Sequence, residues 1–242
     1  MEKNPFSFYT TLMFTQNTCS VHHCRNIALS TFDDDGNLTE EKSYCLDHIP
    51  NPGKAKEDIY RYIRTHDKIV GLNACGLIFA DVDLTDKKFF GCNFYHCTFM
   101  NMHSENILLR MCIFDFAVFN DCSLIKTNSI FNSFSGCTFT HSLFTSSELI
   151  QSNFNGCKAY QSSFDNSDLF NSRFINATLV DTSFRNCNLK KTLFFSSKRA
   201  NVSFKMSNTR EAEFIKDDID SMISHLSDEE LSNTHDNPVE EQ

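Results

Sequence analysis

The chain has 242 residues, which is enough for one or two domains, and its hydrophobic content of 40% is sufficient for a buried core. It contains 25 Phe but only seven Gly and four Pro, which argues against an ordinary hairpin-rich β protein. The net charge of −9 is concentrated at the C-terminus, because residues 216–242 hold nine acids and one base, so the rest of the chain is nearly neutral.

The N-terminal sequence bears on the cellular compartment. MEKNPFSFYTTLMFTQ lacks the basic start and apolar run of a secretory signal, and no apolar stretch approaches the length that spans a bilayer. We therefore expect a cytoplasmic protein that does not insert into membranes. Its 11 cysteines are then expected to be reduced, so they need an explanation other than disulfides.

Two closely spaced pairs of metal-ligating residues occur in the N-terminal segment. CSVHHC places Cys19 and Cys24 at the two ends of a short turn, and YCLDH places Cys45 shortly before His48. Zinc binds four sulfur or nitrogen ligands in a tetrahedron, and each short pair can supply two of them without straining the chain. The segment between the pairs is typical of a small hairpin that turns near Gly36.

This spacing resembles a treble-clef-like Cys3His zinc knuckle, over about 30 residues. The resemblance implies a structural rather than a catalytic zinc, because four protein ligands leave no open position for water. His22 and His23 lie inside the first pair and could replace a proposed ligand. The alternative is an accidental cluster of reduced cysteines. We predict a zinc-knuckle module over residues 1–52.

The next segment, residues 53–76, is predicted to contain a short amphipathic helix. Ile59, Tyr60 and Ile63 lie on one face of it, with charged residues between them. We expect this helix to lead into the following domain and to cover its first strands, whose pairing edges would otherwise be exposed.

From residue 77 to residue 215 a large apolar residue recurs at every fifth position. Of the 28 positions whose numbers end in 4 or 9 between 79 and 214, sixteen are Phe, seven are Leu and one is Ala159. Small residues recur two positions earlier, and residues two apart in an extended chain face the same side. Each five-residue unit is therefore predicted to form one side and one corner of a square coil. The exceptions are Ser104, Ser129, Arg199 and Thr209.

Units such as CNFYH (92–96), SSFDN (162–166) and CNLKK (187–191) resemble those of the pentapeptide-repeat family. The resemblance covers residues 77–215 and implies an all-β solenoid, a right-handed quadrilateral β-helix of about seven coils with capping helices at both ends. One interior column is predicted to be a continuous ladder of Phe rings, from Phe94 to Phe214 at steps of one coil. Packing in the narrow interior is the expected role of the cysteines at the small position, which are Cys92, Cys97, Cys112, Cys122, Cys137, Cys157 and Cys187.

Several outward positions on one side of the predicted solenoid are apolar, whereas most other outward positions are Ser, Thr, Asn or charged. Stacking of the coils should align them into an exposed stripe, and exposed apolar patches usually mark interfaces. The alternative is that the N-terminal domain or the C-terminal segment covers them. These residues, called the apolar stripe below, are Phe90, Leu108, Met111, Ile130, Phe131, Ile150 and Phe170.

The last coils are predicted to be basic. Pentapeptide-repeat proteins include quinolone-resistance proteins that resemble DNA and bind gyrase, but a DNA mimic needs an acidic rod, and residues 77–215 hold 12 acids and 13 bases. A basic end without aromatic platforms is also only a weak indication of nucleic-acid binding. The residues of this predicted basic patch are Arg185, Lys190, Lys191, Lys198, Lys205 and Arg210.

Beyond the repeats, residues 216–227 predict a short helix with one apolar face, formed by Ile219, Met222, Ile223 and Leu226. It is expected to cap the last coil, with a homodimer contact as the alternative. Residues 228–242 are predicted to be a disordered acidic tail.

The sequence contains no glycine-rich phosphate loop and no HExxH motif. The function it predicts is therefore a non-enzymatic scaffold for a protein partner whose identity is unknown. The alternatives are a gyrase-binding DNA mimic and a nucleic-acid-associated zinc protein, with nucleic acid the less expected partner.

Overall fold

The structure is a computed structural model, and it describes residues 17–39 and 41–214. Most of the described chain forms a solenoid of short parallel strands, which confirms the predicted quadrilateral β-helix of about seven coils. The predicted C-terminal helix at 216–227 and the tail at 228–242 lie outside the described residues. No helix of the described part combines the length and apolarity needed to cross a bilayer.

The segment before the solenoid is a small module followed by one helix. Strands β1 (Thr31–Phe32) and β2 (Leu38–Thr39) pair as an antiparallel hairpin, and helix α1 spans Pro52–Thr65. The helix begins at Asn51, whose side-chain oxygen accepts a hydrogen bond from the Lys54 amide at 3.0 Å and so satisfies one of the free N–H groups of the first turn.

Helix α1 covers the first coil, as its amphipathic pattern predicted. Ile59 and Ile63 are buried, and the Tyr60 ring packs on Phe79 with centroids 5.0 Å apart. The helix C-terminus is held by Lys87, whose ammonium donates to two carbonyls of the last turn and cap, at 3.1 and 3.0 Å. These carbonyls lack partners within the helix, so the contact explains why a lysine stands at a position that is uncharged in every other unit.

The solenoid has four faces, which the chain visits in order. Face 1 is a seven-stranded parallel sheet, face 2 has two regular strands, face 3 has four, and face 4 is built from isolated parallel bridges that run from Asn73 to Glu213. The strands of face 1 are β4 (Ile78–Ala80), β6 (Thr98–Met100), β9 (Val118–Asn120), β12 (Thr138–Thr140), β13 (Lys158–Tyr160), β14 (Thr178–Val180) and β15 (Lys198–Ala200). Those of face 2 are β7 (His103–Glu105) and β10 (Ser123–Ile125), and those of face 3 are β3 (Lys68–Val70), β5 (Lys88–Phe90), β8 (Leu108–Arg110) and β11 (Asn128–Ile130).

The solenoid begins earlier than the predicted start at residue 77. Strand β3 pairs with β5 so that Ile69 lies beside Phe89, and Asn73 bridges to Asn93. Ile69 and Ala74 occupy inward positions of the same five-residue register, and both are fully buried. The small residues around them hide the period in this first half coil.

The interior is filled by stacked aromatic rings. The predicted ladder is confirmed, with successive ring centroids from Phe94 to Phe214 between 4.7 and 5.1 Å apart. Neighbouring columns meet it edge to face; Phe164, for example, lies at 83° to Phe154. Both arrangements are favourable for aromatic quadrupoles, so the repeat places each ring in a low-energy contact.

The small inward residues also form a hydrogen-bond ladder. The Ser147 hydroxyl accepts from the Thr127 amide at 3.0 Å, and the Ser167 hydroxyl accepts from the Ser147 amide at 3.0 Å. Cysteine thiols at this position donate to backbone carbonyls, as Cys97 does to Ala74 at 2.9 Å. Buried backbone groups need partners, so Ser, Thr and Cys serve this position both as fillers and as hydrogen-bonding groups.

The corners of the coil impose a left-handed backbone conformation. Every fifth residue, at numbers ending in 1 or 6, has a positive φ, and most of these positions hold Gly, Asn or Asp. Those residues tolerate the conformation best, because they lack a bulky side chain near the backbone or can hydrogen-bond locally. The polar fifth position of the unit, occupied by His96 in CNFYH, is therefore a conformational requirement as well as a solvent-facing one.

Candidate metal centre and interaction surfaces

The four predicted metal ligands lie together in the N-terminal module. One ligand atom from each of Cys19, Cys24, Cys45 and His48 lies within 4.8 Å of the others. The Cys19 and Cys45 sulfurs are 3.5 and 3.3 Å from His48 Nδ1, and the sulfurs of Cys24 and Cys45 are 3.9 Å apart. The described structure thus contains the Cys3His cluster that the spacing predicted.

Two backbone turns position these ligands. The first pair is brought together by the antiparallel bridge between Thr18 and Ile27 and by a hydrogen bond of 3.0 Å from the Cys24 amide to the Val21 carbonyl. In the second pair, the amide of His48 donates to the Cys45 carbonyl at 3.0 Å, which folds the chain back within one turn.

The cluster has the dimensions of a tetrahedral metal site. A zinc ion bound at about 2.3 Å to sulfur and about 2.0 Å to nitrogen spaces its ligand atoms about 3.5–3.8 Å apart, close to the distances seen here. His22 and His23 are exposed, and their rings pack on each other at 3.8 Å rather than joining the four ligand atoms. The donor set that fits a metal is therefore three thiols and one imidazole.

The environment of Cys19 favours its ionised form. Burial of the thiol opposes ionisation, but hydrogen bonds from the backbone N–H groups of Cys45 and Val21, together with the His48 and Cys45 side chains, lower the pKa of Cys19 to about 6. A thiolate is the form that binds metal.

The module is attached directly to the first coil. The Ser30 amide donates to the Asn73 carbonyl at 3.0 Å, and the Asn73 amide donates back to the Ser30 hydroxyl at 2.8 Å. Leu29 is buried in the same apolar cluster as the solenoid interior, and Leu46 lies against the corner at Gly76. A metal in the module would therefore also hold the cap on the solenoid.

The structure brings most of the apolar stripe together at one edge. Register pairs Phe90 with Arg110 and Arg110 with Ile130, and the stripe continues through Ile150 and Phe170, one coil apart each. The stripe residues are half-buried except Phe131, which is 58% exposed, so the described N-terminal module does not cover them.

The stripe is longer than the sequence prediction. Val70 precedes Phe90 in the same column and is 44% exposed. Arg110 does not interrupt the column, because its guanidinium turns back and donates to the carbonyls of Leu109 and Asn128 at 2.8 and 2.9 Å. Its aliphatic stem continues the apolar surface. At about 4.8 Å per strand, the six positions from Val70 to residue 170 extend about 24 Å.

Four corner residues depart from the Gly, Asn and Asp preference in an unusual way. Met111, Phe116, Phe131 and Met206 are apolar, yet they have φ values between 51° and 61°. A bulky residue in this region is a conformational outlier that costs roughly 1 kcal/mol or more, and such strain tends to persist at functional sites. Phe116 was not predicted from the sequence, although an apolar residue at the fifth position of a unit is a signal that could have identified it.

The Phe116 ring lies flat along its corner column. It stacks on His96 with centroids 5.3 Å apart and passes over the next corner, Gly136, where an added Cβ would lie 2.6 Å from ring carbons. Gly136 therefore serves both the left-handed backbone, with φ of 65°, and the close approach of the ring.

This contact predicts that Gly136→Ala is more destabilising than Gly156→Ala. Both glycines have left-handed backbones, but a Cβ at position 156 would meet only the Gly136 amide nitrogen at 4.0 Å. Gly156→Ala should cost about 1 kcal/mol and Gly136→Ala about 1–3 kcal/mol more, measured by urea unfolding. Adding Phe116→Ala should remove the extra loss of stability in Gly136→Ala, because the clashing ring is then absent. Equal losses in the two glycine variants would contradict the contact.

The predicted basic patch is not one patch. Lys198 lies on face 1, Arg185 and Lys205 at the end of face 2, and Lys190 on face 3, opposite Lys198. These basic residues are five to eight positions apart in sequence, and the chain turns at least one corner within each interval. Residues that are close in sequence therefore lie on different faces. Lys190 and Lys191 also pair with Glu211 at 3.4 and 3.7 Å, and Arg210 lies beside it on face 3.

The solenoid interior contains little free space. A cavity of about 20 Å³ lies in the first coils and is lined almost entirely by apolar side chains. Burial raises the pKa of two interior thiols, to about 12 for Cys157 and about 11 for Cys187, so these two thiols are protonated and suited to packing rather than nucleophilic chemistry.

Comparison with known proteins agrees with this architecture. Residues 137–214 match the family model of the pentapeptide repeat region, which confirms the predicted resemblance for that part of the chain. No curated protein sequence matches the chain significantly.

Three solved structures illustrate the similarity. A trypsin-treated variant of QnrB1, a plasmid-mediated fluoroquinolone resistance protein, is 15% identical, with 63% of this chain and 84% of that chain covered and a TM-score of 0.48. HetL from the cyanobacterium Nostoc sp. strain PCC 7120 is 11% identical, with 65% and 93% covered and a TM-score of 0.27. Rfr23 from the cyanobacterium Cyanothece 51142 is 16% identical, with 60% and 96% covered and a TM-score of 0.21. Similarity at this level transfers no activity to the present chain.

Proposed function

We propose that this pentapeptide-repeat chain is a non-enzymatic scaffold that binds a protein partner along the apolar stripe. The observation that carries the proposal is the stripe itself, because five of the six outward positions aligned one coil apart between Val70 and Phe170 are apolar and partly exposed. An apolar column of this length on an otherwise polar surface is typical of an interface.

The rigidity of the solenoid supports a scaffolding role. Every stripe residue belongs to a coil that is hydrogen-bonded above and below, as with the Phe131 amide to the Ile150 carbonyl at 3.3 Å and the Gln151 amide to the Phe170 carbonyl at 2.9 Å. A surface that is already ordered loses little conformational entropy on binding, which favours affinity at modest contact area.

We further propose that the Cys3His cluster holds a structural zinc. The three sulfurs and one imidazole match the ligands and spacings of closed zinc sites, and such sites stabilise modules that have little core of their own. A cytoplasmic location fits the same picture, because all 11 cysteines are free and most are buried.

The alternatives of DNA mimicry and nucleic-acid binding receive less support. Residues 77–215 carry nearly equal numbers of acids and bases, which does not imitate a polyanion. The basic residues of the last coils are distributed over three faces, which disfavours a continuous track for a phosphate backbone. The homodimer stays a prediction that measurement of the oligomeric state would test.

The double variant Ile150→Asp/Phe170→Asp is expected to lose the native partner, because two charges would be buried within the contact. The measurement is a quantitative pull-down from the native cytosol with mass spectrometry, accompanied by size-exclusion chromatography. Recovery of the partner should fall at least about tenfold. The matched control is Val118→Asp/Val180→Asp, which changes two half-buried outward residues of face 1, on the opposite side. An unchanged partner list and oligomeric state in the stripe variant would rule out the stripe as the interface.

A further inference from the structure

We infer that a groove on face 4, beside the apolar stripe, binds a short peptide segment of the partner that presents an apolar side chain followed by a carboxylate. The inference rests on the proposed scaffold function and specifies the chemistry that the scaffold recognises. The groove, called the graded groove below, has a volume of about 340 Å³ and runs along the solenoid axis.

Two parallel columns of side chains form the walls of the graded groove. One follows the corner between faces 3 and 4, and the other follows the first outward position of face 4, where parallel bridges connect each coil to the next. The corner wall consists of Met111, Phe131 and Gln151, the face 4 wall of Ile113, Ser133, Asn153 and Arg173, and the floor of Cys112 and Asn132.

The chemistry of the walls changes steadily along the axis. The end nearest the N-terminal coils is apolar, with Met111, Ile113 and Phe131, and the middle contains the amides of Gln151 and Asn153. The end nearest the C-terminal coils is the guanidinium of Arg173, which is exposed. The Asn153 amide already donates to the Ser133 hydroxyl at 3.3 Å and accepts from the Asn155 amide at 3.1 Å, so Gln151 is the main amide for a peptide backbone. An arginine recognises a carboxylate through two parallel hydrogen bonds.

Arg173 gives the graded groove its charge. It is the only charged residue among those that line the groove, and within the described part of the chain it forms no ion pair. The carboxylate of Asp115, on the second outward column of face 4, already accepts hydrogen bonds from the Ser133 hydroxyl and the Ser135 amide. The charge complement of the groove is therefore an anion.

The apolar end is strained in a way that stability does not explain. Met111 and Phe131 have φ values of 51° and 58°, although Asn or Gly would relieve the strain at either corner. Phe131 is also 58% exposed, so it gains little from burial. A residue that is unfavourable for both the backbone and the solvent is the kind of local conflict expected at a binding site.

Two exceptions to the repeat pattern, both buried, lie beside the Phe131 corner. Asn132 stands where most other units carry a small residue. Its amide donates to the Ser129 hydroxyl at 2.7 Å, and its carbonyl oxygen accepts from the Cys112 amide at 2.7 Å. Ser129 replaces the usual Leu or Phe, which makes room for the larger amide. Both are almost fully buried, so a satisfied polar network anchors the strained Phe131 corner at the cost of apolar packing.

The spacing of the walls defines the ligand. Arg173 lies two coils beyond Phe131, which is about 10 Å at about 4.8 Å per strand. An extended peptide covers that distance in about three residues. The fitting segment therefore has an aromatic or aliphatic anchor at the Met111–Phe131 end and an Asp or Glu about three residues away.

Selection of phage-displayed random peptides on the full chain tests this inference. We expect enriched peptides to share an apolar residue with an acid about three residues away, and a labelled synthetic copy to bind in fluorescence polarisation. Arg173→Glu should weaken that peptide at least about tenfold, and a copy with Lys in place of the acid should bind Arg173→Glu more tightly than it binds the wild type. Arg185→Glu makes the same charge change on the opposite face and should have no effect.

Phe131→Asn separates binding from folding. Asn suits a left-handed corner better than Phe, so the variant should unfold at an equal or higher urea concentration while the peptide affinity falls. The inference is overturned if no apolar–acid motif is enriched, or if Arg173→Glu or Phe131→Asn leaves the affinity unchanged. In those cases, loss of the native partner in Ile150→Asp/Phe170→Asp would still uphold the scaffold.

Discussion

Phe154→Ala is expected to destabilise the solenoid by about 3–5 kcal/mol, because it opens a cavity at the centre of a continuous aromatic stack. The Phe154 ring is completely buried and lies nearly parallel to its neighbours, with centroids 4.9 Å from Phe134 and 4.7 Å from Phe174. Each coil contacts only the coils above and below it, so the rest of the chain cannot close over the gap. Urea unfolding followed by far-ultraviolet circular dichroism measures the loss, since the chain has no Trp for fluorescence.

Phe170→Ala is the matched control for this prediction. Phe170 belongs to the half-buried stripe on the outside of the same region, so its removal should cost about 1 kcal/mol or less. Equal losses in the two variants would contradict the assignment of alternating inward and outward positions on which the interior depends.

The interior could be predicted from the sequence because one physical constraint repeats in every coil. A narrow square interior accepts one large and one small side chain per side, and the unbroken register of 28 positions is enough to identify the ladder from the residues alone. Outward positions are under no such constraint. The column of the stripe was still predictable, because residues that are 20 apart in sequence must stack on each other.

Other features depend on contacts that a linear pattern does not reveal. The early start at Lys68 was hidden because Ala74 fills an interior place usually taken by Phe. Spacing along the sequence predicts one basic patch, whereas the corners of the coil distribute the same residues over three faces. The strain at Met111 and Phe131 depends on the left-handed backbone at the fifth position of each unit, which a linear pattern does not show.

Cys45→Ser is expected to abolish tight zinc binding and to unfold the N-terminal module without unfolding the solenoid. The Cys45 sulfur lies 3.9 Å from that of Cys24, in the first pair, and 3.3 Å from His48 Nδ1, in its own pair. Its loss therefore removes a ligand that lies close to both pairs. Structural zinc contributes apparent binding free energies of about 10–16 kcal/mol to small modules, far more than a short hairpin can replace. We expect one zinc per wild-type chain by elemental mass spectrometry and much less than one in the variant.

Cys157→Ser provides the control for the loss of a thiol. Cys157 is buried at a small interior position that holds Ser in many other units, so this variant should keep its zinc. Its free energy of unfolding should change by about 1 kcal/mol or less. His23→Ala should also keep its zinc, because the exposed His23 ring lies outside the four-ligand cluster. A zinc content that falls in His23→Ala but not in Cys45→Ser would show that the ligand set is different.

The solenoid should survive zinc loss because its stability is generated coil by coil, whereas the module is proposed to depend on the metal. Limited proteolysis of the Cys45→Ser variant should therefore cleave within residues 17–50 and leave the repeats intact. The first coil is the exception, because Leu29 packs on it and Ser30 exchanges two hydrogen bonds with Asn73. Hydrogen exchange should accordingly rise around residues 68–80 and fade within one or two coils. A uniform increase along the whole solenoid would instead mean that the metal module and the repeats unfold as a single cooperative unit.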